Sequence, residues 1–74
     1  MRFRELQTVV LERDLPEHGL RKGDAGAVVH VHNGSCEVEF LRGSGHTQAV
    51  VTLSDVLLRA ASDEDVLAVR ASER

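Results

Sequence analysis

The sequence predicts an all-β domain of about five short strands, and three observations carry that expectation. Residues 36–41 and 46–53 show apolar and polar residues in alternation, the period of half-buried strands. Asn33-Gly34 sits between the run ending at residue 32 and the run 36–41 as a strong two-residue hairpin signal. Arg21-Lys22-Gly23-Asp24-Ala25-Gly26-Ala27-Val28-Val29-His30-Val31 reads as a charged turn, two glycines bracketing an acidic step, then a β-branched run. Glycine supplies the positive backbone angles and close approach that such a turn demands. Asp24 is expected to cap it by accepting from backbone amides two residues on.

Taken in order, Met1 to Glu5 is a polar lead-in with Phe3 as its apolar anchor. Leu6 to Glu12 is the first strand, and its three consecutive apolar residues, Val9, Val10 and Leu11, suit a strand covered on part of both faces. Arg13 to Lys22 is a long connection in which Pro16 sets one turn and Gly19 ends another. Leu15 and Leu20 give it two apolar pegs, so it is expected to be ordered. Long ordered loops carry binding more often than short ones.

Ala25 to His32 is the second strand, with Ala27, Val29 and Val31 on one face and Val28, His30 and His32 on the other. Asn33-Gly34 predicts a type I′ turn. Cys36 to Leu41 returns as the third strand, with Cys36, Val38 and Phe40 inward and Glu37 and Glu39 outward. Arg42-Gly43-Ser44-Gly45 is a second tight turn, and His46 to Leu53 is the fourth strand, with Thr47, Ala49, Val51 and Leu53 sharing a face. Ser54-Asp55 reads as the cap of a single helical turn. Val56 to Arg59 is the fifth strand, with a helix over 55–61 as the alternative. Asp65 to Arg70 fits an extra C-terminal edge strand or a short helix equally, and 71–74 is expected to fray.

Seventy-four residues make one domain, here spanning 1–74. A chain this small buries only about 60% of the surface its unfolded form exposes, so association is the natural supplement to its core. The single cysteine excludes an intrachain disulfide and fits a reducing compartment. A protein partner or a homo-oligomer is therefore expected. No charged-then-apolar leader and no apolar run of membrane-spanning length is present, which predicts a cytoplasmic protein away from membranes. The net charge of −3, with nine basic and twelve acidic residues, argues against an electrostatic nucleic-acid binder. Phe3 and Phe40 do not have the spacing of a base-stacking platform.

Five short strands, a long first connection, two tight hairpins and a one-turn helix before the last strand describe a small SH3-like barrel, whose closure leaves few exposed edges. Leu6-Gln7-Thr8-Val9-Val10-Leu11, Asp14-Leu15-Pro16-Glu17-His18-Gly19-Leu20, Lys22-Gly23-Asp24-Ala25-Gly26-Ala27-Val28-Val29 and Glu37-Val38-Glu39-Phe40 resemble the small bacterial domain-of-unknown-function family 4926. The likeness extends through Thr52-Leu53 to Val66-Leu67-Ala68-Val69-Arg70. The segment from Lys22 to Val29 is also similar to the opening of KOW-type ribosomal and transcription-factor barrels, and to the barrel of the nitrile hydratase β subunit. Each resemblance implies an SH3-like fold and brings no catalytic residue with it.

Few side chains suggest chemistry. His30 and His32 alternate on a strand, so both imidazoles face one way about 7 Å apart. They offer two metal ligands, with Cys36 or His46 to complete a site. Cys36 is expected on the opposite face and no carboxylate is expected beside the pair, so no metal and no cofactor are predicted. Cys36 as a nucleophile needs a base and an electropositive pocket that an inward position does not provide. Ser44 lies in a turn rather than a strand-to-helix elbow, and Glu37 with Glu39 reads as a solubilising face. No catalytic residues are expected, and the chain is read as no enzyme.

The long loop is the best candidate surface, with Leu15, Pro16, Glu17, His18, Arg21 and Lys22 as its partner-binding residues. The expected function is a non-catalytic protein-interaction module, an antitoxin-, immunity- or regulatory-type partner of another bacterial protein. One alternative is a KOW-like nucleic-acid or ribosome-binding module that gathers Arg21, Lys22, Arg42 and Arg59 on one face. Another is an accessory subunit of a larger enzyme.

Overall fold

A computed structural model describes residues 2–41 and 47–62. They form five antiparallel strands: β1 (Thr8–Leu11), β2 (Ala25–Val31), β3 (Ser35–Leu41), β4 (Thr47–Ser54) and β5 (Leu58–Ala60). A 3₁₀ turn over Pro16–His18 interrupts the long connection, and another over Asp55–Leu57 joins β4 to β5. The expected all-β fold is therefore what the chain adopts. The alternative of a helix over 55–61 gives way to a single turn followed by a strand, with Ser54 Oγ accepting from the Val56 amide as its cap. The expected Arg42–Gly45 turn and the 65–70 element lie outside the described residues. Among the described residues no helix is long and apolar enough to cross a membrane.

The strand order is β4-β3-β2-β1-β5. In a flat sheet the two outer strands would stand about 19 Å apart, four strand spacings. Four residue steps, from Ser54 to Leu58, reach at most about 14 Å. The sheet must therefore coil on itself, and its concave face becomes the core. Closure by hydrogen bonds does not follow: among the described residues no ladder joins β4 to β5, so the expected barrel is an open, coiled sheet. The second 3₁₀ turn bridges the gap. There the Asp55 amide donates to the Gly34 carbonyl (3.1 Å) and the Glu12 amide to the Leu57 carbonyl (2.8 Å).

The core contains Phe3, Val9, Leu11, Leu20, Val28, Cys36, Val38, Phe40, Val51, Leu53 and Leu58. Phe3 anchors the lead-in as its sequence position predicts, and Cys36, Val38 and Phe40 point inward. Val10 is buried as well, so three consecutive β1 residues are covered, as the apolar run predicts.

β1 starts at Thr8 rather than Leu6, because residues 4–7 close a turn first. The Gln7 amide donates to the Arg4 carbonyl and the Arg4 amide donates to Gln7 Oε1, both at 3.1 Å. This turn places Leu6 at φ +71°, a left-handed conformation costly for a side chain, and leaves it 85% exposed.

The expected facing of β2 is broken by a bulge. Val28 pairs with Val38, but His30 pairs with Glu37, so Val29 is an extra residue. The bulge puts Val28 and Val31 on the core side, with Val31 partly buried against it, and turns His30 outward. At the hairpin tip only Gly34 takes a positive φ (+85°). A type I′ turn needs positive φ at both central residues, so the expected turn type is incorrect although its position is right. Asp24 also caps differently, accepting from the Arg21 amide three residues back (2.9 Å) rather than from residues ahead.

Candidate functional site

Two surfaces collect the chemistry-bearing residues. The first is the long loop. Leu15 and Leu20 pair backbone to backbone (2.9 and 3.1 Å), the His18 amide donates to the Leu15 carbonyl, and Gly19 ends the 3₁₀ turn at φ +69°. Leu20 is buried in the core and Leu15 packs partly against it, so both pegs are seated. Asp14 Oδ1 accepts from the Lys22 amide at 2.9 Å, and this bond with the Asp24–Arg21 bond fastens the far end. Of the six residues expected to bind a partner, Pro16, Glu17, His18, Arg21 and Lys22 are exposed, whereas Leu15 serves mainly as a peg. Asp14, Pro16, Gly19, Leu20 and Arg21 line a shallow depression here.

The basic residues of this loop sit beside acids. Asp14 and Asp24 both reach the backbone of the Arg21–Lys22 pair, so the local field is mixed. Arg59 lies on β5 opposite Val10, and Arg42 is outside the described residues.

The second surface is the outer face of the β2–β3 hairpin. His30 and His32 project together with ring centroids 4.7 Å apart, edge to face. His32 Nε2 lies 2.7 Å from Glu37 Oε2, and His30 Nδ1 lies 3.7 Å from Glu5 Oε2. One ligand atom from each of His30, His32 and Glu37 can be chosen so that all three fall within 4.8 Å of one another. The expectation that no carboxylate stands beside the histidine pair is incorrect. The signal was present in the sequence: a two-residue turn at Asn33-Gly34 places residue 37 opposite residue 30. Cys36 takes no part, as its inward position predicts, and His46 lies outside the described residues.

Cys36 is fully buried, and its Sγ donates to Asp55 Oδ1 at 3.3 Å. Burial, followed by the hydrogen bond and negative charge of Asp55, pushes its thiol up to about 11. Those causes keep the sulfur protonated, the reverse of what activates a nucleophilic cysteine.

Compared with known proteins, the chain matches no curated protein and no solved structure. A family match covers residues 5–60, from the Glu5 turn through all five strands to the end of β5. The chain belongs to the family described as a domain of unknown function (DUF4926).

Proposed function

We propose that this chain is a non-catalytic protein-interaction module of the cytoplasm, and that its contact surface is the loop from Leu15 to Lys22. The observation that carries this reading is the combination of rigidity and exposure in one segment. The backbone of 14–24 is fixed by the Leu15–Leu20 bridge and two carboxylate caps, while Pro16, Glu17, His18 and Gly19 stand in solvent. A loop already held in one conformation loses little conformational entropy on binding, which removes one of the costs of association. Glu17 and His18 at the tip, beside exposed Arg21 and Lys22, favour a partner surface of mixed charge. The mixed field also disfavours the nucleic-acid reading, because phosphate binding draws on uncompensated positive charge. A single free thiol, buried at Cys36, is in keeping with a reducing compartment.

The test is coexpression of the full chain with the proteins encoded beside it, followed by size-exclusion chromatography with light scattering. A stoichiometric complex that dissolves when Pro16, Glu17 and His18 are all replaced by alanine supports the reading. A complex indifferent to those replacements, or retention of RNA by the purified chain at low salt, overturns it.

A further inference from the structure

We propose that the outer face of the β2–β3 hairpin is a binding site for a divalent transition-metal ion of the zinc class, with His30, His32 and Glu37 as ligands and Glu5, beside His30, as a second carboxylate. Two departures from regular backbone bring these residues together. The first is the Val29 bulge. Without it, the pairing of Val28 with Val38 would continue, and His30 would follow Val28 onto the core face opposite Cys36. The extra residue turns His30 outward, in register with Glu37 and on the same side as His32. Re-aiming a side chain is what bulges beside functional sites do.

The second departure is the Arg4–Gln7 turn. Its Leu6 holds a positive φ while its side chain is almost fully in solvent, so no burial of Leu6 offsets the conformational cost. The turn is tied to β2 by the Leu6 amide donating to the Val28 carbonyl (2.7 Å) and the Val28 amide donating to the Gln7 carbonyl (2.9 Å). Its consequence is to set Glu5 3.7 Å from His30. A bulge and a strained turn, from separate parts of the chain, converge on the same imidazole.

The donor set suits the ion. Two imidazoles with one or two carboxylates match borderline cations rather than the all-oxygen sets of calcium or magnesium. A tetrahedral zinc site places its ligand atoms about 3.3 Å apart. The three ligand atoms lie within 4.8 Å of one another, and both histidines are exposed, so no core packing fixes their rings. The open side of the site leaves a coordination position for water or for a group on another molecule. This inference is independent of the loop reading, because it involves none of the residues from 13 to 24.

The experiment titrates the full chain with zinc against a chromogenic chelator and repeats it with cobalt, whose visible bands report coordination. The expected result is one ion per chain, with His30→Ala and His32→Ala each weakening binding roughly tenfold or more and Glu37→Gln also weakening it. His18→Ala and Cys36→Ala should leave affinity unchanged, and circular dichroism should show every variant folded. No binding at equimolar zinc overturns the proposal, as does binding that survives loss of both His30 and His32.

Discussion

Gly26 is the position where a single methyl group tests the fold most sharply. A Cβ built there would lie 2.7 Å from Val38 Cγ1, 2.8 Å from the Glu39 carbonyl oxygen and 3.0 Å from Phe40 Cδ1. Ordinary contact begins near 3.4 Å, so the closest overlaps are 0.6–0.7 Å. Glu39 pairs with Ala27 on one side and Val50 on the other, so its carbonyl has no freedom to retreat. Overpacking of this kind costs about 1–3 kcal/mol, and a backbone obstacle puts Gly26→Ala near the top of that range. Gly23 is the control. A methyl there meets nothing within 4 Å, and only its φ of +95° opposes the substitution, at about 1–2 kcal/mol. A chain of this length is held by about 4–11 kcal/mol in all. Urea unfolding should therefore show the midpoint of Gly26→Ala lowered by roughly 2 M with the slope unchanged. Gly23→Ala should fall between it and the parent. If Gly26→Ala unfolds within about 0.5 kcal/mol of the parent, the close approach of β2 to β3 is wrong.

Other expectations follow from the core, the thiol and the loop. Leu58→Ala empties a fully buried position on the short β5 and should cost about 2–5 kcal/mol by the same urea assay. Cys36 has a folded-state pKa raised to about 11 from an ordinary value of 9.0. Its contribution to stability is complete below pH 9 and is lost as pH rises toward 11, because the unfolded chain ionises first. Unfolding midpoints taken from pH 8 to 11 should fall more steeply for the parent than for Cys36→Ala, and parallel curves would contradict the assignment. Replacing Pro16, Glu17 and His18 together by alanine removes only exposed side chains, each expected within about 0.5 kcal/mol of neutral. A much larger loss of thermal stability would mean that these side chains support the fold.

The strands were legible because alternation and turn chemistry are local properties. β3 shows this best: Cys36, Val38 and Phe40 read as inward and are buried, with the hairpin tip at Asn33-Gly34. The Leu15 and Leu20 pegs were legible for the same reason, as isolated apolar residues in a polar loop. What escaped was set by long-range fit. Perfect alternation carries no mark of the extra residue at Val29, which shows only in the pairing of β2 with β3. That bulge decides whether His30 faces core or solvent, so the outward facing of the histidine pair could not be read from periodicity, although the Asn33-Gly34 turn already sets residue 37 opposite residue 30. The exchange of a type I′ turn for one with positive φ only at Gly34, and the early turn at Leu6, depend on contacts with other segments in the same way.

The central functional claim is that the 15–22 loop touches another protein. Its most direct test is site-specific photocrosslinking in the native cell, with a benzophenone side chain replacing Glu17 in one strain and Thr52, exposed on β4, in another. The account predicts a single discrete adduct from position 17 that is absent from position 52. No adduct from position 17, or the same adducts from both positions, would contradict it.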